Sequence, residues 1–117
     1  MNSQDTSTSP LAELSALCRV VTKPYESGLD PNVVTRLLAC KNRPDPKDRV
    51  KYEKTEHFAK IKSLCVMLQG SCVLCGLANK DKLTAHHRNY YNLFRESALT
   101  DVSCICNRCH GSYHRGR

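Results

Sequence analysis

Cys72-Val-Leu-Cys75-Gly76 and Cys106-Asn-Arg-Cys109 are two C-x2-C knuckles with 30 residues between them, and their reading decides the fold. Each tight turn aims two thiolates at one point, and four soft ligands complete a closed tetrahedral zinc site. A redox C-x-x-C is the competing reading, but it needs a βαβ context that this sequence lacks. Five of the eight cysteines and four of the five histidines fall between Cys72 and His114, which concentrates the metal-ligating residues in the C-terminal half. Cys104 competes with Cys106 for the site, and the knuckle spacing favours Cys106. Cys18, Cys40 and Cys65 fall in apolar helical stripes and read as small buried hydrophobes.

The rest of the chain sets bounds around these knuckles. At 117 residues, 40% hydrophobic and 25% charged, it supports one small domain with a thin core, which excludes multidomain enzymes and doubly wound folds. A core that small gains stability from a bound zinc ion. The longest wholly apolar run, Leu64 to Leu68, is far short of the roughly 20 residues that cross a bilayer. MNSQDTSTSP carries no Lys or Arg and no apolar stretch of a secretory signal. The expectation is a cytoplasmic protein without a membrane partner, whose thiols stay reduced and bind metal. With 18 Lys plus Arg against 11 Asp plus Glu, the net charge of +7 calls for an acidic partner, nucleic acid by default.

Residues 1–9 are polar and predict a disordered tail. Ser9-Pro10 is a cap followed by a first-turn proline, and Leu11, Leu14, Leu17, Val20 and Val21 predict a helix reaching Lys23. Asp30-Pro31 repeats the signal ahead of Val33, Val34, Leu37 and Leu38, for a second helix to about Cys40. Asp45-Pro46 opens a longer third helix, with Val50, His57, Phe58, Ile61, Leu64, Cys65 and Leu68 as its apolar stripe and Gly70 as its stop. The expected organisation is a tail (1–9), a helical extension (10–44) and a metal-bearing domain (45–117) with its core in 69–117. From residue 41 to residue 62 there are eight Lys or Arg and four acids. That basic segment reads either as a solvated helix face with pairs such as Glu56 and Lys60 or as a phosphate-contacting surface. The two N-terminal helices either pad the core or dock onto a protein partner, and oligomeric state is left open.

Four thiolates saturate a zinc ion and leave the histidines without a place in that site. Residues 107–115 predict a helix on which His110 and His114, four apart, share a face. Cys109 is about 100° of helical rotation from His110, so one helix can serve two ions. His86 and His87 follow Leu83-Thr-Ala in a strand-like stretch, where neighbours point to opposite faces. One of the pair can ligate while the other stays free as a general base. A three-imidazole site with open positions is a catalytic arrangement, suited to phosphodiester hydrolysis, with a histidine of ordinary pKa near 6.5 acting on water. The alternative is that His86 or His110 joins a mixed Cys/His zinc site while the others contact phosphate. His57 reads as an ordinary packed or half-exposed histidine.

Taken together, Cys72-Val-Leu-Cys75-Gly, Leu83-Thr-Ala-His86-His87-Arg-Asn-Tyr90-Tyr-Asn92-Leu93-Phe-Arg-Glu96, Leu99-Thr-Asp101-Val and Cys106-Asn-Arg-Cys109-His110 with His114 resemble the HNH endonucleases. The likeness is to the zinc-knuckle branch with a paired His-His and covers roughly 69–117. It implies a small α+β protein with a ββα-metal fold beside a treble-clef-like zinc site, and a metal-dependent DNA endonuclease that leaves a 5′-phosphate. By position it implies His87 as general base and His86, His110 and His114 as ligands of a catalytic divalent ion (Mg²⁺, Mn²⁺, Ni²⁺ or Zn²⁺). Cys72, Cys75, Cys106 and Cys109 would hold the structural zinc. Asp101 stands where the family's middle Asn holds the loop, and Phe94 stands where a Gly is common. Arg88, Arg95, Arg108, Arg115 and Arg117 are the candidates for phosphate contacts. The competing class is a non-catalytic zinc module that binds nucleic acid or a protein through the basic helix.

Overall fold

In the computed structural model the described residues are 9–40 and 42–115, the last three of them by their backbone. They form a small α+β unit with five helices and one two-stranded antiparallel sheet. Three helices start where a capping side chain precedes a proline. Ser9 accepts from Ala12 N ahead of α1 (Pro10–Leu17), Asp30 from Asn32 N ahead of α2 (Pro31–Ala39), and Asp45 from Lys47 N ahead of α3 (Pro46–Glu53). Each cap satisfies an orphan N–H, and each proline takes a position where no N–H is needed.

The single long helix expected from Asp45 to Gly70 is two helices, α3 and α4 (Glu56–Gln69). One hydroxyl makes the break: Thr55 Oγ1 donates to Tyr52 O at 2.7 Å and accepts from Phe58 N at 3.1 Å, closing one helix and capping the next. On a continuous helix Tyr52 and His57 would be about 140° apart; across the break both are buried. Phe58, Ile61 and Cys65 are buried as expected, whereas Val50 and Leu68 of the expected stripe are exposed. Gly70, at φ 75°, ends α4 in the left-handed conformation that suits glycine.

The first helix is also shorter than expected, stopping at Leu17 rather than Lys23. Residues 18–22 run alongside residues 94–98. Val20 N donates to Glu96 O and Thr22 N to Phe94 O, both at 2.9 Å, and Ala98 N donates to Cys18 O at 3.0 Å. The β-branched Val20, Val21 and Thr22 suit such pairing better than a helix. Only Ser15 of α1 is buried, while Leu11, Leu14 and Leu17 are exposed, so this helix does not pad the core. Cys18 and Cys40 are half-buried at helix ends rather than core residues, and the Cys40 thiol donates to Asn42 O at 2.8 Å. Cys65 is fully buried, and burial pushes its thiol up to about 12.

Val33, Val34 and Leu37 of α2 join one core with Tyr52, Phe58, Ile61, Phe94, Val102 and Ile105. β1 (Leu83–His87) pairs antiparallel with β2 (Val102–Cys106), with Leu83 opposite Cys106 and His87 opposite Val102. Gln69 ties α4 to this sheet: its Oε1 accepts from Cys104 N at 2.9 Å, and its Nε2 donates to Val102 O at 2.9 Å and Ala98 O at 3.1 Å. α5 (Asn107–Arg115) leaves β2 without an intervening loop. No helix among the described residues is long and apolar enough to cross a membrane.

Candidate metal centre and histidine cluster

The two knuckles meet. Cys75 lies in the turn at residues 73–75, Cys106 ends β2, and Cys109 lies in the first turn of α5. The Sγ atoms of Cys72, Cys75, Cys106 and Cys109 all lie within 4.8 Å of one another, and those of Cys75 and Cys106 are 3.7 Å apart. A tetrahedral zinc with Zn–S bonds of about 2.3 Å requires S···S edges of about 3.8 Å, so the four residues fit such an ion. The turn is built for it: Gly76, at φ 81°, donates its N–H to Cys72 O at 2.9 Å, and Cys109 N lies 3.3 Å from Cys106 Sγ. Burial pushes the Cys72 thiol up, but backbone N–H groups of Cys106, Cys75 and Leu74 outweigh it and bring it down to about 6. Thiolate is the form that binds metal. Cys104 is outside this quartet; it is buried, and its carbonyl accepts from Val73 N at 2.9 Å, which anchors the knuckle to β2.

The paired histidines divide between the two faces of β1. Leu83, Ala85 and His87 are buried, whereas Thr84 and His86 are half-buried. His86 meets His110 of α5, ring centroid to ring centroid 5.4 Å, edge to face. The side chains of His114 and Arg115 lie outside the described residues, as does Arg117. Two described imidazoles therefore converge, and the thiol quartet is the group of three or more metal-ligating residues found among the described residues.

His87 is not free beside that pair. Its side chain is 2% exposed, its ring stacks on Phe58 at 5.4 Å and packs on Tyr90 at 4.9 Å, and its Nε2 lies 2.8 Å from Glu96 Oε2. A carboxylate only accepts, so Nε2 carries the hydrogen. Glu96 is also met by His57 Nε2 at 2.6 Å and by the Tyr52 hydroxyl. His57 is thus more than a packing residue, and its Nδ1 lies 2.7 Å from Thr22 Oγ1. Burial raises the Glu96 carboxyl, but hydrogen bonds from His57, His87 and Tyr52 prevail and hold it down to about 2. The same burial, with the Glu96 charge alongside, pushes the Tyr52 phenol up. Tyr52, His57 and Glu96 were missed as site residues because the bonds that join Tyr52 and His57 to Thr22, Phe94 and Glu96 span 35 to 44 residues, although Glu96 lies only nine residues from His87.

Asp101, buried, braces the loop between the strands. Its Oδ2 accepts from Ser97 N at 2.8 Å and Asn92 Nδ2 at 3.1 Å and lies 3.4 Å from Arg19 Nη1, and its carbonyl accepts from Arg88 N at 2.9 Å. Phe94, in that loop, has φ +69° although it is not glycine. Arg88, Arg95 and Arg108 are exposed, with Arg88 Nε donating to Ser103 Oγ at 2.6 Å. No family model, curated protein or solved structure matches this chain.

Proposed function

We propose that this protein is a metal-dependent DNA endonuclease of the HNH type, in which β1, β2 and α5 form the ββα-metal unit beside a structural zinc. The observation that carries this reading is the meeting of His86 and His110 on the outer face of β1, next to the thiol quartet. His86, His110 and His114 would hold one divalent ion (Mg²⁺, Mn²⁺, Ni²⁺ or Zn²⁺), which supplies Lewis-acid neutralisation of a scissile phosphodiester. In the neutral ring, Glu96 fixes His87 with Nε2 protonated and leaves Nδ1 as the proton acceptor, the pairing of base and orienting carboxylate seen in hydrolytic sites. Asp101 holds the loop that follows His87, and Arg88, Arg95, Arg108 and Arg115 would position the phosphate backbone. The reaction leaves a 5′-phosphate, and the protein works in the cytoplasm, where its thiols stay reduced.

The enclosure of His87 favours a second reading, a zinc module that binds nucleic acid without cutting it. One assay separates the two. Supercoiled plasmid and single-stranded DNA are incubated with wild type, His110→Ala and His87→Ala in Mg²⁺, Mn²⁺, Ni²⁺ or Zn²⁺, with zinc content and DNA affinity measured alongside. The nuclease reading expects cleavage by wild type, and none by either variant, with one equivalent of zinc retained and affinity unchanged. Absence of cleavage by wild type in all four metals, with DNA still bound, favours the second reading, and cleavage by His87→Ala at the wild-type rate removes His87 from the chemistry.

A further inference from the structure

A cleft of about 390 Å³ opens between residues 21–24, the end of α2 and residues 90–95, within the size range of small-ligand sites. Its floor is apolar, formed by Leu37 and Phe94, and its walls include Tyr90 and Tyr91. Among the described residues that line it, Lys23 and Arg95 are the charged ones and none is a carboxylate. Tyr91 is 71% exposed, so its ring has a face open to a ligand. Arg43 and Arg49 lie near the Tyr90 hydroxyl, and Nη1 of Arg49 is buried without a hydrogen-bond partner. A lining that combines apolar and aromatic side chains with two cations suits a planar ring that carries a phosphate.

We infer that this cleft binds an unpaired nucleotide of a single-stranded nucleic acid, its base against Tyr91 and the apolar floor and its phosphate at Lys23 and Arg95. The inference deepens the nucleic-acid reading and rests on it for the class of ligand. Tyr90 joins the cleft to the histidine cluster, since the ring that lines the one packs on His87 in the other. A strand lodged in the cleft therefore runs past the loop that follows β1. Stacking is indifferent to base identity, so binding is sequence-tolerant.

The test uses the full chain, loaded with zinc and without other added divalent metal. Fluorescence anisotropy follows a labelled short oligothymidylate, its duplex with oligoadenylate, and a polyglutamate peptide of equal charge. Tyr91→Ala is expected to weaken oligothymidylate binding by about 5- to 100-fold, the effect of losing one stacked base, and to leave duplex binding unchanged. Replacing Lys23 and Arg95 together by Ala removes the one phosphate contact and is expected to lower the magnitude of the salt slope for the single strand by about 0.7. Unchanged single-strand binding by Tyr91→Ala overturns the inference, as does polyglutamate binding as tight as the strand, or no single-strand binding at all. Tyrosine-dependent strand binding, with no cleavage in the separate assay supplied with Mg²⁺, Mn²⁺, Ni²⁺ or Zn²⁺, would leave this site standing while the nuclease reading falls, and cleavage in that assay with tyrosine-independent binding would do the reverse.

Discussion

Glu96 and His87 are joined by a hydrogen bond from His87 Nε2 to Glu96 Oε2 at 2.8 Å, and both side chains are at most 2% exposed. The same carboxylate takes His57 on its other oxygen, so one buried charge orients two imidazoles.

The first prediction concerns acid. Glu96 is held down to about 2 from an ordinary 4.5. Its contribution to stability is complete above the unfolded value and is lost as pH falls from about 4.5 through about 2. It amounts to about 3 kcal/mol. Urea unfolding of wild type and Glu96→Gln, compared at a series of pH values, should show a gap that is widest near neutrality and closes in this window. Tyr52, His57 and His87 surround position 96 in both proteins, facing a carboxylate in one and an amide in the other, and thiol protonation affects both alike. A gap that stays constant into acid would show that the ionised form carries no special weight.

Metal removal gives the second. Four thiols lie close enough together to hold one ion, and structural zinc sites contribute of order 10 kcal/mol of apparent binding free energy, more than a core this thin supplies. Chelation should abolish the cooperative thermal transition, and Cys106→Ser should contain less than a full equivalent of zinc by elemental analysis. Cys104→Ser, altered outside the quartet, should keep its zinc.

Phe94 gives a third. At φ +69° the backbone favours glycine by about 1 kcal/mol. The ring is buried, however, and stands edge-on to Tyr52 at 5.1 Å. Emptying that space costs about 3–5 kcal/mol. Phe94→Gly should therefore be net destabilising by about 3 kcal/mol in chemical denaturation, despite relieving the backbone. An equally stable glycine variant would mean the ring is not packed as described.

A fourth follows from the bonds that Asp101 accepts from Ser97 N and Asn92 Nδ2. Asp101→Ala leaves a buried backbone donor unpaired, which costs about 1–3 kcal/mol. Amide exchange should speed up at Ser97 and through residues 89–100, while Ile61 and Cys65 in α4 keep their protection. Uniform acceleration across the chain would point to global destabilisation instead.

What could be read in the sequence was what is decided locally. Capping residues before Pro10, Pro31 and Pro46 act within one turn, and helices start there. The alternation that separates His86 from His87 is a property of any strand. Cysteines three apart in a turn converge whatever surrounds them. The ends of helices were harder, because distant partners set them. Residues 18–22 leave the helix to pair with 94–98, and the turn at Thr55 brings Tyr52 and His57 inward to Glu96. Nothing in the neighbourhood of Glu96 announces that Tyr52, His57 and His87 will all bond to it. The enclosure of His87 likewise depends on Phe58 and Tyr90, which no spacing rule places around it.

The line Thr22 to His57 to Glu96 to His87 joins four distant parts of the chain through side chains alone. Severing the polypeptide in the connection between α2 and α3 would cut no member of that line, yet would part Thr22 from the other three. Fragments made on either side of such a nick should be poorly folded apart and should reassemble when mixed, with each half acting as the template on which the other is completed.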